Sequence, residues 1–193
     1  MSAAIKPFSA ILGGATAISP YTVKLERRLS DLREFFLDRS FVEQMLARGD
    51  NPLIYEVYEI PQKPVEGMFN VGCTVICPGV ISGEYYLTMG HYHQKETTSE
   101  VYVGMEGEGV ILMQDREGRT DSLAIKPKVL AYIPPNIAHR TVNTGRRKLS
   151  FLAIYPSDAG HDYNTMRTKG FAKLIVERNG KPTIVDNPRF TMQ

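Results

Sequence analysis

From Asn51 onward the sequence is a succession of short β-branched and aromatic runs, separated by Gly, Pro and Asp residues. Runs of this length and spacing are typical of sandwiches and barrels, in which each strand crosses the core and then turns back. Nine such runs within about 105 residues therefore predict a closed all-β core. The predicted strands cover residues 53–60, 69–76, 84–88, 100–103, 109–114, 121–125, 129–133, 139–143 and 149–155.

The two ends of the chain carry other local signals. A hairpin is predicted between 174–177 and 183–185, because Asn179-Gly180 is the dipeptide that favours a type I′ turn. Near the N-terminus, Ser30-Asp31 predicts a short helix through Leu37, and a capping-box pattern starting at Ser40 predicts a second helix that Gly49 ends. We therefore expect one domain, in which an N-terminal arm with short helices (1–50) packs on a β-barrel with a C-terminal hairpin (51–193).

Charge and cysteine content exclude several classes of partner. The chain has 23 Lys and Arg against 21 Asp and Glu, spread along the sequence, so no basic stripe for nucleic acid is expected. No run approaches the 18 apolar residues of a membrane span, so no membrane partner is expected either. Cys73 and Cys77 lie too far apart along one strand to bond to each other, and two buried thiols fit a reducing cytoplasm.

The histidines are concentrated between 91 and 161, and three of them have the spacing of metal ligands. In a strand His91 and His93 share one face, Glu100 can return on the neighbouring strand, and His139 follows the turn at 134–136. Three imidazoles and one carboxylate suit Fe²⁺, Mn²⁺, Ni²⁺ or Zn²⁺ and are poor ligands for Ca²⁺. This pattern matches the two motifs of the cupin superfamily and predicts a metal-dependent cupin, a double-stranded β-helix or jelly-roll barrel.

A longer set of motifs resembles one family, the cupin-type (archaeal-type) phosphoglucose isomerases. The resemblance covers about 160 residues. The run at 151–163 is more specific than the cupin motifs, which many chemistries share. The motifs are Arg27-Arg28-Leu29-Ser30-Asp31, Tyr55-Glu56-Val57-Tyr58, His91-Tyr92-His93, Glu100-Val101-Tyr102-Val103, Tyr132-Ile133-Pro134-Pro135, Ala138-His139-Arg140-Thr141-Val142-Asn143, residues 151–163 and Val185-Asp186-Asn187-Pro188-Arg189.

The resemblance implies reversible isomerisation of glucose 6-phosphate and fructose 6-phosphate by a cytoplasmic homodimer. It implies one divalent metal per subunit, with Fe²⁺ or Mn²⁺ favoured over Ni²⁺ or Zn²⁺, held by His91, His93, Glu100 and His139. It also implies substrate contacts, in which the threonines and the Gly90 N–H hold the phosphate. The implied contact residues are Tyr55, Thr74, Thr88, Gly90, Tyr102, Tyr155, His161 and Tyr163.

The chemistry of an aldose–ketose isomerase assigns roles to three of these residues. Glu100 is expected to act as ligand, base or both, while Tyr102 and Tyr155 are expected to relay a proton or hold a hydroxyl. Proton transfer through an enediol and a metal-assisted hydride shift both stay open. So do two other functions, a cupin oxidoreductase such as a dioxygenase and a non-catalytic protein that binds sugar phosphates.

Some positions depart from the family pattern. Met89 stands where a Lys is often found, Lys128 replaces a Gly, and Asn136 replaces the Gly before the third histidine. Strict alternation would also turn Thr88 and Gly90 away from the face of the two ligand histidines. We therefore predict a β-bulge near Met89-Gly90 that resets the register.

Overall fold

The structure is a computed structural model that describes residues 6–13 and 17–191. Its helices are α1 (Arg39–Ala47) and α2 (Tyr163–Thr168), with a 3₁₀ turn at Leu29–Asp31. The strands are β1 (Ile11–Leu12), β2 (Ile18–Ser19), β3 (Val23–Arg28), β4 (Leu53–Ile60), β5 (Phe69–Ile76), β6 (Val80–Ile81), β7 (Glu84–Tyr85), β8 (Glu100–Glu106), β9 (Gly109–Gln114), β10 (Thr120–Ile125), β11 (Leu130–Ile133), β12 (Ala138–Asn143), β13 (Leu149–Pro156), β14 (Lys173–Arg178) and β15 (Lys181–Asp186).

Two antiparallel layers enclose the core. One layer is a six-stranded sheet in the order β11-β8-β13-β5-β4-β3. The other combines the sheet β10-β9-β12 with the sheet β15-β14-β7-β6, and isolated bridges from Leu87 to Val142 and from His91 to His139 join the two. Side chains alternate between the faces of each strand, so every inward residue points into the space between the layers. This arrangement confirms the predicted all-β cupin barrel, including the exact ends of β4, β5 and β9.

The outer face of the large sheet has its own apolar cover. Ala17 and Ile18 pack there against Tyr58, Cys73 and Leu152, in a cluster separate from the barrel core. Cys73 is buried and unbonded, as is expected of a structural thiol. The N-terminal segment therefore covers a second hydrophobic surface that a half-exposed sheet would leave in water.

The first 50 residues also contribute a strand that the sequence analysis did not include. β3 pairs with β4 in antiparallel register, with Val23 opposite Glu59 and Arg27 opposite Tyr55. Its sequence, Val-Lys-Leu-Glu-Arg-Arg, is polar because it lies at the edge of the sheet, and an apolar pattern is weak there. The inner face of β4 is thereby extended by the inner face of β3.

Two helix predictions need correction. The helix expected through Leu37 is instead the short 3₁₀ turn, followed by further turns, because Leu29, Leu32 and Phe35 enter the core at a spacing of three. The second helix does form and ends before Gly49, but its cap is not Ser40. Asp38 accepts a hydrogen bond from the Phe41 amide at 3.0 Å, so the helix begins earlier.

The remaining turn predictions are confirmed. Asn179 and Gly180 both have positive φ, 51° and 71°, between the paired residues Arg178 and Lys181, as a type I′ turn requires.

Within the described ranges no helix has both the length and the hydropathy needed to cross a membrane.

The predicted bulge is confirmed beside the ligand histidines. Three residues separate Leu87 from His91, whereas two separate Val142 from His139 on the partner strand. Gly90 takes up the extra residue at φ 74°, and a Cβ there would lie 2.7 Å from the Phe171 ring. The bulge turns the Thr88 side chain to the same cavity as His91.

Candidate metal centre and active site

Four side chains from three segments converge in the barrel. His91 and His93 follow β7, Glu100 begins β8, and His139 lies on β12 opposite His91. One ligand atom from each lies within 4.8 Å of all the others. The four predicted metal ligands are therefore brought together at one point, although their ligand role itself stays a prediction.

The hydrogen bonds of His93 fix its tautomer. Its Nδ1 lies 2.9 Å from Thr98 Oγ1 and 3.2 Å from Thr98 O. The Thr98 hydroxyl donates its own proton to Lys95 O at 2.6 Å, so both Thr98 atoms accept, and Nδ1 carries the proton. In the neutral tautomer Nε2 of His93 is then the nitrogen left to bind a metal, and it faces Glu100 Oε2 at 3.3 Å.

His139 is arranged in the same way. Its Nδ1 donates to the Ile137 carbonyl at 3.3 Å, so in the neutral tautomer Nε2 is the nitrogen left to bind a metal. Nε2 lies 2.9 Å from Glu100 Oε2 in a geometry that does not satisfy it as a hydrogen bond. Nε2 of His91 is also buried without a hydrogen-bond partner. A cation placed among these atoms would satisfy all of them, so the residues fit a divalent metal ion.

The protonation states agree with metal binding. Burial lowers the pKa of His91 well below its ordinary value, and the neighbouring histidines His139, His161 and His93 add to this, so the ring is neutral. Burial would raise the pKa of Glu100, but contacts with His139 and His93 outweigh it and bring the pKa to about 2. At neutral pH the centre therefore offers the neutral His91 imidazole and the ionised Glu100 carboxylate.

A loop places two more predicted residues above the ligands. Tyr92 and Asp162 exchange backbone hydrogen bonds, 2.8 Å from the Asp162 amide to the Tyr92 carbonyl and 3.4 Å in the other direction. His161 and Tyr163, on either side of Asp162, then face His91, with ring centroids 4.4 Å and 5.3 Å away. Burial lowers the pKa of His161 to about 4, so its ring is also neutral.

The phenols around the centre hold their protons. Burial raises the pKa of Tyr102 well above its ordinary value, and the carboxylate of Glu100 raises it further. Burial also raises the pKa of Tyr155, whose hydroxyl donates to Glu59 Oε1 at 2.8 Å. These groups can donate hydrogen bonds or protons but cannot serve as bases at neutral pH.

One cavity connects all of these groups. All eight residues that the sequence analysis named as substrate contacts line this cavity. Three of the predicted metal ligands line it as well, and the fourth, His93, lies beside the cavity with its ligand nitrogen close to those of the other three. No Lys or Arg lines the cavity among the residues that the structure describes, and Met89 stands at its wall instead. The predicted contacts are Tyr55, Thr74, Thr88, Gly90, Tyr102, Tyr155, His161 and Tyr163.

Sequence reasoning missed two polar residues at this cavity. Glu59 lines it and accepts the hydrogen bond from Tyr155. Arg27 lies opposite Tyr55 on the inner face of β3, next to Leu25, which lines the cavity mouth. No motif contains Glu59, which lines the cavity from β4. Arg27 begins one of the motifs that resemble the family, but only the pairing of β3 with β4 places it beside the cavity.

A cupin barrel with three histidines and one glutamate converging in its interior defines the class as a cupin whose centre could hold a metal ion. The family model described as glucose-6-phosphate isomerase (GPI) matches residues 26–189. The chain belongs to this family.

Sequence relatives agree with the family model. The chain is 44% identical to the glucose-6-phosphate isomerase of Thermococcus litoralis, over 97% of this chain and 98% of the relative. It is 45% identical to that of Pyrococcus abyssi, over 91% and 92%. Among solved structures it is similar to Bacillus subtilis oxalate decarboxylase, with 20% identity and a TM-score of 0.45 over 54% of this chain and 26% of that one. The sequence relatives carry the family assignment.

Proposed function

We propose that this chain interconverts glucose 6-phosphate and fructose 6-phosphate at the cavity above His91, His93, Glu100 and His139. One observation carries the proposal: the buried Nε2 atoms of His91 and His139, which have no hydrogen-bond partner, and an ionised Glu100 open onto a cavity lined by protonated phenols. An aldose–ketose isomerase needs a base, an electrophile and proton donors at adjacent carbons, and these groups supply them.

The four ligands would hold one divalent ion, which when bound polarises the carbonyl and hydroxyl oxygens of the sugar. Nitrogen ligands and a single carboxylate favour a transition metal, with Fe²⁺ or Mn²⁺ proposed first and Ni²⁺ or Zn²⁺ also compatible. Thr98 keeps the His93 ring in the orientation that presents Nε2.

Glu100 is the proposed base. Both of its close imidazole contacts use Oε2, and we assign the other carboxylate oxygen, Oε1, to the transfer of a proton between C2 and C1. The Tyr102 phenol, two residues along the same face of β8, donates to a sugar oxygen as charge develops there. In the alternative hydride shift Glu100 would hold the hydroxyl proton while hydrogen moves between the two carbons.

The other lining residues would position the sugar. Tyr155 is held by Glu59, which fixes the phenol near the reacting carbons. Tyr55, His161 and Tyr163 offer polar atoms for the sugar hydroxyls.

The phosphate would bind at the bulge. Thr88, Thr74 and the Gly90 amide are the donors that the cavity offers to a phosphate, since the bulge turns Thr88 inward. A dianion also favours a cation, and we assign that role to Arg27, the basic residue on the inner face of β3.

We further propose that the enzyme is a cytoplasmic homodimer. Free thiols at Cys73 and Cys77 are compatible with a reducing compartment, and the family resemblance implies the dimer. Light scattering on the purified protein measures the mass, and a 21.7 kDa particle would contradict the dimer.

A coupled assay of glucose 6-phosphate formation from fructose 6-phosphate tests the function. Chelation should abolish turnover and single divalent metals should restore it. His139→Ala should lose both metal and activity, whereas Lys181→Ala, at the exposed distal hairpin, should lose neither. No turnover with any metal would refute the isomerase, and oxygen uptake with an organic substrate would favour the oxidoreductase.

A further inference from the structure

A second cavity of about 170 Å³ lies behind the active site, between the N-terminal helical region and the end of α2. Its lining is strongly basic, with five cationic side chains and one carboxylate, that of Glu34, although basic and acidic residues are nearly equal in the whole chain. The five cationic residues are Arg39, Arg140, Arg167, Lys169 and Arg189. An electrostatic concentration of this kind favours an anion.

Arg140 forms the floor of this basic cavity. Its side chain is 3% exposed, and its guanidinium carbon lies 4.8 Å from the centre of the Phe171 ring and 5.9 Å from that of Phe35. Nη2 donates to the Met89 carbonyl at 2.8 Å, but the buried Nε has no hydrogen-bond partner. A buried unpaired donor is costly, and an anion in the cavity would satisfy it.

The surrounding charges do not neutralise the cavity. Glu84 is the buried carboxylate facing Arg140, but its Oε2 accepts a hydrogen bond from the Leu37 amide at 2.8 Å, and it lies beyond ion-pair distance of the guanidinium. Arg167 pairs with Glu34 at 3.1 Å. Five cations against these two carboxylates leave a net charge of +3.

We propose that this cavity is a binding site for a small, multiply charged phosphate compound, separate from the substrate site. Guanidinium groups form paired hydrogen bonds to phosphate oxygens, and Arg39, Arg189 and Arg140 approach from different elements. Lys169 adds a flexible ammonium group at the rim.

Arg140 and Phe171, which line the basic cavity, also contact residues of the active site, so the two sites are coupled. Arg140 holds the Met89 carbonyl, and the Phe171 ring packs directly against Gly90. An anion that draws Arg140 into the basic cavity therefore loosens the Met89-Gly90 bulge. This step of the inference rests on the proposed function, because that bulge is where the substrate phosphate would bind.

Binding of inorganic phosphate to the Zn²⁺-loaded enzyme, followed by phosphorus-31 NMR at fixed ionic strength, tests the site. Saturating fructose 6-phosphate should displace phosphate from the substrate site and leave one phosphate per chain. The double variant Arg39→Gln, Lys169→Gln should weaken that remaining site about 10-fold. The matched control Arg48→Gln, Lys181→Gln removes the same charge at residues outside the cavity and should change it less than about 2-fold.

Phosphate should also raise the KM for fructose 6-phosphate more in the wild type and the control than in Arg39→Gln, Lys169→Gln. Complete displacement of phosphate by substrate, or equal weakening in both double variants, would overturn the site. Equal KM shifts in all three proteins would overturn the coupling. Failure of the proposed isomerase would show separately, as absence of turnover in the wild type.

Discussion

Thr98 controls which ring nitrogen of His93 faces the metal centre. Replacing it with Val removes the hydroxyl that accepts from Nδ1 and leaves only the carbonyl at 3.2 Å. We expect about a 10-fold to 100-fold loss in metal affinity, as is typical when the hydrogen-bond partner of a ligand histidine is removed. Titration of the metal-free protein with Zn²⁺ measures this metal affinity. Thr97→Val, at the exposed neighbour, is the matched control, and an equal loss there would show that Thr98 has no special role.

Arg27 illustrates a functional assignment that depends on tertiary structure. Replacing it with Gln should raise the KM for fructose 6-phosphate about 10-fold or more and change kcat little, because the cation binds a group that does not react. Steady-state kinetics with fructose 6-phosphate measures this. Arg28→Gln is the control, since Arg28 lies on the opposite face and contacts Glu26. A fall in kcat at unchanged KM would contradict the phosphate role.

Among the elements, the turn from β10 to β11 contains a residue in an unfavourable conformation. The Val129 amide bonds to the Lys126 carbonyl at 3.0 Å across Pro127 and Lys128, and Lys128 has φ 69°. This is a type II turn with Lys at the position that favours Gly. Lys128→Gly should raise the free energy of unfolding by about 0.5 to 1 kcal/mol, because relief of the left-handed strain exceeds the entropy cost of Gly. Urea denaturation checks it.

The control for that turn is Lys126→Gly, which adds the same flexibility without relieving any strain. Stability should stay the same or fall there. A gain equal to that of Lys128→Gly would mean that removal of charge, not backbone conformation, is responsible.

Elements were predictable where local chemistry decides them. Strands β4, β5 and β9 are rich in β-branched or aromatic residues, and the Asn179-Gly180 turn has a conformation that its residues favour. The bulge at Gly90 was predictable because unbroken strand alternation would have turned Thr88 away from the face that His91 and His93 share. β3 was not predictable, because it is a polar edge strand whose structure depends on pairing with β4. The 3₁₀ turn was not predictable either, because its Leu and Phe residues are spaced by three and take that conformation only when they pack into the core.

At the scale of the whole molecule, the metal ligands and the substrate contacts differ in how the sequence records them. His91, His93 and Glu100 stand within ten residues of each other, so their motif is visible. Glu59 lines the cavity from β4, and Arg27 lies beside it only because β3 is added to the edge of the large sheet. Arg27 stands in a motif that resembles the family, but only the pairing register of β3 with β4 shows which face it occupies.

The buried ionisable groups of the barrel predict how the metal-free protein responds to acid. His161 has a folded pKa of about 4 against an ordinary value of 6.5, so the unfolded chain binds more protons and stability falls as the pH drops through that interval. Glu100, at about 2 against 4.5, continues the loss at lower pH in the same direction.

Thermal unfolding of the metal-free protein between pH 7 and pH 4 measures the first of these losses. His161→Asn should remove up to about 3 kcal/mol of the pH dependence, at 1.36 kcal/mol for each pKa unit. The part due to His91, whose pKa is also lowered, should persist in that variant. Identical pH profiles for the wild type and His161→Asn would mean that the His161 ring takes up its proton inside the folded barrel without cost, which its burial argues against.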